Sequence, residues 1–502
     1  MKLPARFVAG NLVWTRTGSV WAVFRVEPAT YPWLTHDEKL QLHRQTRSAL
    51  IALGGPAMVV SPCAPVSPEE LARRICSPDP SGYLARSAAL ATALEPRQRI
   101  TFLAAELPAR PARRGRPPAL DAARSSLGET FGLGPARVPS AEIDRRSAQA
   151  HQLLERLRPF LGVEPAGATE VCWIYAAAVA RGLGAPPPAP GRQAGWQDAP
   201  RLAALNDAVF TEGGRPDDNG RPRHRRYLRV DTEQGSGYQA LLALSDMPHQ
   251  FGFPGGAEWL LAAEQTRFPV DWCLRIRPVG NPAAQASARR QARQLLSQVG
   301  EYDGDPAGPP PGLAEAMEAL GDLRTQLAAN PTDAELRVTT IVALGSDRLE
   351  DLEEQVSTLR ALYASGDYQL HRPIGGQLGL FSAMLPGSPA GSPARDYVHS
   401  LLGRDLAAGM PFAGVKVGDP DGALVGYSLD AGTFRPVLFD PAYGPSVNRS
   451  GSLGVFGALG SGKSYFIKNA IHATLARGGR VVVLDRTASG EYARLAEVAP
   501  VP

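Results

Sequence analysis

The hydrophobic and polar positions near the start of the chain alternate as they do in a β-hairpin. Apolar residues recur at alternate positions between Asn11 and Phe24, on either side of the turn residues Thr17 and Gly18. The later run Thr35-His-Asp-Glu38 has the form of a capping box, in which the first and fourth residues satisfy each other's backbone N–H groups. The pattern therefore predicts a hairpin and then a helix that ends near Leu53.

Helical and strand-like patterns continue through the middle of the chain. Residues 65–107 predict short helices and one strand. Beyond residue 200, the βαα-β-α-β order predicts an α/β unit with its helices packed on one face of a sheet. The predicted strands are 99–107, 224–231, 238–244, 270–278, 336–344 and 368–371, and the predicted longer helices are 140–161, 170–181, 283–299, 313–328 and 347–363.

A complete phosphate-binding motif, G-x-x-x-x-G-K-[ST], occupies Gly457–Ser464. The apolar run 452–456 in front of it predicts a buried strand. Apolar positions over 465–476 predict a helix that ends at Gly478-Gly479. Strand, glycine-rich turn and helix form the context that this motif requires, so the sequence predicts a site for a nucleoside triphosphate.

The residue types in the motif match the chemistry of phosphate binding. Glycines let backbone N–H groups surround phosphate oxygens without a Cβ in the way, and the helix N-terminus adds positive potential. The Lys463 ammonium is predicted to face the β- and γ-phosphates, and the Ser464 hydroxyl to bind Mg²⁺. The predicted nucleotide-binding residues are Gly457, Ala458, Leu459, Gly460, Ser461, Gly462, Lys463, Ser464 and Tyr465.

A second apolar run, 480–485, ends in a carboxylate and predicts a second strand. Ligands of doubly wound sheets lie beyond the carboxyl ends of the strands, which makes Asp485 a candidate catalytic group beside the nucleotide. The alternative is structural. Asp485 would then cap the turn, and Glu491 would begin a helix whose first turn favours negative charge.

Proline-rich stretches indicate where the chain divides. Residues 184–200 mark one boundary, and 386–393 read as a connector before a nucleotide-binding part that begins near Gly414. We therefore predict an N-terminal α+β subdomain over 1–200, a second α/β subdomain over 201–413, and the beginning of a P-loop NTPase domain over 414–502. No internal repeat is evident in the sequence.

Composition narrows the class of protein. Of 502 residues, 44% are apolar and 20% charged, which suits a folded protein of roughly three domains. The net charge of +4 is too small to indicate nucleic-acid binding by itself. The four cysteines, at 63, 76, 172 and 273, have no metal-binding spacing, and a disulfide framework is not expected in a chain of this length.

Targeting signals and charge clusters indicate where in the cell the protein is expected. No secretory signal is evident at the N-terminus, and the longest apolar run, 171–180, is about half a membrane span. Two basic clusters, at 110–116 and 221–226, are interpreted as solvated loops, with contact to DNA or acidic lipid as the alternative. We therefore expect a soluble cytoplasmic protein whose membrane association depends on partners.

Several stretches near the C-terminus together resemble one family. Residues 448–468 around the motif, the run Val481-Val-Val-Leu-Asp485 and Gly490-Glu-Tyr492 resemble the ATPases of type IV secretion and conjugation. These are the TraC-like, VirB-type members of the HerA–FtsK superfamily. The D-x-x-x-x-G-E-Y stretch discriminates most, because a phosphate-binding loop occurs in many enzyme families. The resemblance spans about 436–498, with weaker similarities at 11–26 and in Met384-Leu-Pro-Gly387.

The resemblance implies an N-terminal α+β region that docks on a secretion channel, followed by the start of a RecA-like P-loop sheet. It implies ATP and Mg²⁺ as cofactors, and hydrolysis at the subunit interfaces of a hexamer. It also implies that the D-x-x-x-x-G-E-Y segment lies beside the nucleotide, which makes Glu491 a second candidate catalytic residue after Asp485. The implied partners are further copies of the chain, inner-membrane secretion-channel proteins and a coupling protein at the cytoplasmic face of the cell membrane, with DNA as a further candidate.

Two other functions stay open at this point. One is a truncated, non-hydrolysing scaffold that docks on the secretion machinery, and the other is a DNA translocase of the FtsK or HerA type. No later Walker B strand, catalytic glutamate, sensor or arginine finger is found in these 502 residues. Because an arginine finger alone contributes about 10³–10⁵ in rate, we expect these residues by themselves to hydrolyse ATP very slowly or not at all.

Overall fold

The computed structural model describes residues 2–76, 82–108, 138–184, 205–214, 225–248, 252–302, 310–329, 334–389, 391–428, 432–448, 450–486, 490 and 492–493. The strands in these ranges are β1 (Ala5–Ala9), β2 (Leu12–Thr15), β3 (Val20–Glu27), β4 (Ala29–Thr30), β5 (Ala57–Ser61), β6 (Cys63–Pro65), β7 (Arg97–Arg99), β8 (Thr101–Glu106), β9 (Gly162–Pro165), β10 (Val209–Gly213), β11 (Tyr227–Thr232), β12 (Gly235–Asp246), β13 (Asp271–Val279), β14 (Glu335–Ser346), β15 (Gln369–His371), β16 (His399–Leu402), β17 (Ala413–Gly414), β18 (Ala423–Ser428) and β19 (Arg435–Phe439). The α-helices are α1 (His36–Ala52), α2 (Pro68–Cys76), α3 (Gly82–Ala93), α4 (Ser140–Leu157), α5 (Ala168–Val179), α6 (Trp259–Ala262), α7 (Asn281–Gly300), α8 (Pro311–Ala329), α9 (Leu349–Ala364), α10 (Gln377–Ala383), α11 (Gly403–Ala408), α12 (Tyr443–Ser446) and α13 (Lys463–Ala476).

One large antiparallel sheet organises the fold. Ten strands lie side by side in the order β1-β2-β3-β8-β5-β13-β14-β12-β11-β10, and β9, β15 and β16 pair with β3, β12 and β14 to give 13 strands. The middle pair is β5 with β13, where Val59 lies opposite Leu274. The architecture is therefore mixed α/β, as predicted, and the sheet joins residues from both sides of the proline-rich stretch 184–200 in one layer.

Both faces of this sheet are buried. Along β3, Ala22 and Phe24 belong to one hydrophobic core, whereas Trp21 and Val23 belong to the other. Helices α1, α4 and α9 contribute to the first core, and α5 and α10 to the second. Beyond residue 200, where helices were predicted on a single face, α9 covers the first face and α10 the second, so that prediction was wrong. The inner strands are apolar at consecutive positions and therefore need cover on both sides.

The strand order is the same when it is read from either edge of the sheet. Each half begins with a three-stranded meander (β1–β3 or β10–β12) and gives one strand to the middle (β5 or β13). Two helices come between the middle strand and the next strand of the large sheet (α2 and α3, or α7 and α8), and that next strand inserts beside the meander (β8 or β14). A helix and a short strand on the third meander strand come next (α4 and β9, or α9 and β15). The fold thus contains an internal duplication that the sequence pattern did not indicate.

Two local predictions near the N-terminus are confirmed. Strands β2 and β3 form the predicted hairpin, with Gly18 at φ +90° in its turn. At the start of α1, Glu38 Oε2 accepts a hydrogen bond from the Thr35 backbone N–H at 2.7 Å, and Thr35 Oγ1 accepts one from the Glu38 backbone N–H at 3.4 Å. These reciprocal bonds satisfy two N–H groups that the helix itself leaves without partners.

Some predictions fall outside the described residues. These are the basic cluster 110–116, all of the proline-rich stretch except residue 184, the basic cluster 221–226 apart from its last two residues, and Glu491. In the part of the chain that is described, no helix is both long enough and apolar enough to cross a membrane.

The cysteines give a prediction about thiol reactivity and pH. All four are free and buried, and burial raises the pKa of Cys273 from an ordinary 9.0 to about 12. Because the thiolate is the reactive form, we expect DTNB to modify the native protein far more slowly than the urea-unfolded chain. Rapid modification of all four thiols in the native protein would contradict this expectation.

The pKa of Cys273 also predicts how stability depends on pH. The folded state keeps a proton that the unfolded chain releases, so the free energy of unfolding should fall as pH rises from about 9 towards 12.

Candidate nucleotide-binding site

The phosphate-binding motif leads directly into helix α13, which starts at Lys463, two residues before the predicted start, and ends at Ala476, as predicted. Gly460 and Gly462 take φ +77° and +89°, in the left-handed region that favours glycine. A Cβ added to Gly457 would lie 2.5 Å from Ser461 Oγ. All three glycines therefore occupy positions at which a side chain would strain or crowd the loop.

The loop holds the predicted cation against its own backbone. Lys463 Nζ donates a hydrogen bond to the Ala458 carbonyl at 2.6 Å, and the Ser461 backbone N–H donates to the same carbonyl at 3.2 Å. Ser464 follows in the first turn of α13, while the side chains of Leu459 and Tyr465 are exposed. The structure thus brings the predicted cation and hydroxyl together at the start of the helix, next to the glycine turn.

Helix α13 is positioned by the hairpin β18–β19. Asn469 Nδ2 donates to the Leu424 carbonyl at 3.1 Å, and the Phe466 and Phe439 rings lie 5.8 Å apart. Ala473 is buried in a hydrophobic cluster that continues into α2 and α3. The hairpin, and Asn469 as its contact, were not predicted from the sequence, although Asp430-Ala-Gly432 between two short apolar runs is a turn signal.

A buried ionic cluster anchors β19 to the large sheet. Glu264, just after α6, accepts from Arg99 Nε at 2.5 Å and also pairs with Arg435 of β19. Arg99 donates further hydrogen bonds to the carbonyls of Ser61 and Val270, at 2.7 and 2.8 Å. Burial acts to lower the pKa of Arg99, but Glu264, Cys63 and Asp271 together outweigh this effect and the pKa is raised. Arg99 therefore keeps its charge, and the cluster joins the sheet to the hairpin that supports α13.

Asp485 takes part in a turn. Its Oδ2 accepts from the Tyr492 backbone N–H at 3.3 Å, and Lys468 Nζ of α13 lies 5.3 Å from the centre of the Tyr492 ring. These contacts connect the segment after residue 480 back to the helix. The Asp485 contact is the one expected of the structural alternative for this residue, and Glu491 lies outside the described residues.

The strands predicted at 452–456 and 480–485 are not formed. Phe456, Val482 and Leu484 are 93%, 88% and 91% exposed, so these apolar runs are not buried either. A strand requires a neighbour that exchanges backbone hydrogen bonds with it, and within the described residues neither segment has one. Both predictions were therefore wrong for this structure, although the apolar composition that motivated them is real.

Comparison with known proteins gives a limited result. No protein-family profile matches the chain. It is 19% identical over 263 residues to an uncharacterized protein, YddE, of Bacillus subtilis (strain 168). The aligned part is 49% of this chain and 31% of that protein, so the similarity spans about a third of the length of this relative.

Proposed function

We propose that the chain binds ATP together with Mg²⁺ through residues 457–465. The observation that carries the proposal is the geometry of the loop: left-handed glycines at 460 and 462 lead into α13, with the Lys463 ammonium held against the Ala458 carbonyl. Backbone N–H groups at the start of a helix, together with a lysine cation, suit the oxygens of a triphosphate.

Different groups of the loop bind different parts of the ligand. Backbone N–H groups of the glycine turn and the first turn of α13 surround the phosphates, and Lys463 exchanges its carbonyl partner for a phosphate oxygen. Ser464 supplies the hydroxyl oxygen that Mg²⁺ prefers, and the bound metal neutralises phosphate charge. Hairpin β18–β19 orients the loop, because its contacts with Asn469 and Phe466 fix the axis of the helix.

We further propose that the chain is part of a motor subunit of a conjugation or type IV secretion system. The support is the resemblance of the motif and of the stretch from Asp485 to Tyr492 to that family. In this proposal the phosphate-binding loop and α13 belong to a RecA-like domain. A hexamer, channel proteins and a coupling protein are the corresponding partners.

A non-hydrolysing scaffold is the second candidate. It is favoured by the contact between the Asp485 carboxylate and the Tyr492 backbone N–H, since a carboxylate used as a turn acceptor is a structural group. The two candidates share the nucleotide site and differ in what Asp485 does.

Titration of the 502-residue chain with ATP, with and without Mg²⁺, tests the proposal. We expect Mg²⁺ to strengthen ATP binding, and Ser464→Ala to remove most of that gain because its hydroxyl is lost. Asp485→Asn keeps an oxygen that can accept from Tyr492, so any loss of the Mg²⁺ effect in that variant measures the carboxylate alone. An unchanged Mg²⁺ effect in Asp485→Asn would favour the scaffold, and no detectable ATP binding by the wild-type chain would contradict the proposed function.

A further inference from the structure

A cavity lies where the large sheet meets hairpin β18–β19, and none of the residues 457–465 line it. It has a volume of about 110 Å³, and its walls come from β3, β7, the segment 413–417 and the two hairpin strands. A cavity needs a volume of only roughly 10–15 Å³ to hold one water molecule, so this cavity admits a polyatomic group. The cationic side chains in its lining are Arg25, Arg74, Arg97, Arg99, Lys416 and Arg435.

The positive charge around this cavity exceeds the negative charge that pairs with it. Arg99 and Arg435 share the single carboxylate of Glu264, and Lys416 lies 3.7 Å from Glu27. Arg25 is paired with Glu170, at 2.9 Å.

Within the described residues, the two remaining arginines have no such partner. Neither Arg74 nor Arg97 makes an ion pair within the described part of the chain, and Arg74 Nε donates instead to the Pro420 carbonyl at 2.6 Å. Burial lowers the pKa of Arg74, and attraction to Asp421 and Glu70 offsets this only in part. The cavity therefore has an uncompensated positive potential.

Two buried polar atoms in the lining have no hydrogen-bond partner among the residues that the structure describes. Ser428 is only 8% exposed, and its Oγ is buried without a hydrogen-bond partner. The Nε atom of Arg435 is also buried without a hydrogen-bond partner. An unsatisfied buried donor costs free energy, so native proteins rarely keep one unless a bound group satisfies it. Both residues line the cationic cavity.

We propose that this cavity binds a phosphate group. Guanidinium and hydroxyl donors converge on it, and the tetrahedral oxygens of phosphate accept several such bonds at once, which a monatomic anion cannot match in direction. The group would lie between the sheet and the hairpin, and so would fasten the support of α13. This binding is independent of the phosphate-binding loop.

The test uses the 502-residue chain carrying Lys463→Ala, which removes the lysine contact of the loop. Inorganic phosphate is titrated at constant ionic strength, and backbone hydrogen exchange is followed in 423–439. We expect phosphate to bind and to slow exchange in the hairpin. Ser428→Ala should weaken binding about five-fold, and Arg97→Gln about ten-fold or more, because each removes a donor to a charged group. The control is Arg290→Gln, which removes one exposed positive charge on α7 outside this cavity and should leave binding unchanged.

The possible results distinguish phosphate binding in this cavity from binding at the nucleotide site. Phosphate binding that is lost on Lys463→Ala alone would assign the anion to the loop and overturn the cavity proposal, while the proposed function would stand. Equal weakening by Arg290→Gln and Arg97→Gln would also overturn it, since the loss of one positive charge outside the cavity would then have the same effect as the loss of one inside it. A second titration with glycerol phosphate identifies the source: Ser428-dependent binding of both probes indicates a phosphate ester, and binding of inorganic phosphate alone indicates the free ion.

Discussion

The Lys463→Ala variant is expected to bind ATP roughly 10- to 150-fold more weakly than the wild-type chain. The substitution removes the ammonium that faces the β- and γ-phosphates, and a hydrogen bond to a charged group contributes about 1.5–3 kcal/mol, with about 1.4 kcal/mol for each factor of ten. Isothermal titration with ATP and Mg²⁺ measures the difference directly.

Lys468→Ala is the matched control, because Lys468 lies five residues further along the same helix and contacts the Tyr492 ring. We expect its ATP affinity to stay near that of the wild type. Equal affinity of Lys463→Ala and wild type would show that the motif does not bind the phosphates in the proposed way.

The largest expected loss of stability comes from Glu264→Ala. This carboxylate is 2% exposed and is shared by Arg99 and Arg435, which are 5% and 11% exposed. Its removal leaves two guanidinium groups buried without a counter-charge, which costs about 3–5 kcal/mol. Urea unfolding followed by circular dichroism should show a lower midpoint, and Glu264→Gln, which keeps the shape but not the charge, should recover only part of it.

Glu155→Ala provides the comparison for this experiment. Glu155 pairs with Arg158 at 2.7 Å on the surface of α4, where both side chains are about half exposed. Solvent weakens such a pair, so its removal should cost less than about 1 kcal/mol. A Glu264→Ala midpoint equal to that of Glu155→Ala would show that the ionic cluster does not hold the hairpin to the sheet.

Structural features that depend on residues close together in the chain could be predicted from the sequence. The capping box of Thr35 and Glu38, the hairpin turn at Gly18 and helix α13 all depend on neighbouring positions, and all three are found. The phosphate-binding motif belongs to the same class, because its glycines and Lys463 lie within one loop. Local patterns therefore located the candidate site without knowledge of the fold.

Features made by distant residues could not be predicted. Arg99 and Glu264 are 165 positions apart, and Glu264 and Arg435 are 171 apart, so no local pattern connects them. The pairing of β5 with β13 and the burial of both sheet faces depend on the same long-range contacts. The apolar runs 452–456 and 480–485 show the opposite failure, since a strand-like composition does not form a strand without a partner.

The symmetric strand order of the large sheet is relevant to how the fold evolved. Two identical five-stranded subunits that pair edge to edge about a two-fold axis produce this palindromic arrangement, with β5 and β13 as their interface. Fusion of two such genes places the dimer contact inside one polypeptide, where neither copy must remain self-complementary. The copies can then specialise: α2 and α3 share a core with the nucleotide-binding helix, whereas α7 and α8 pack around Leu402. An ancestral homodimer would have had to make both contacts with the same surface.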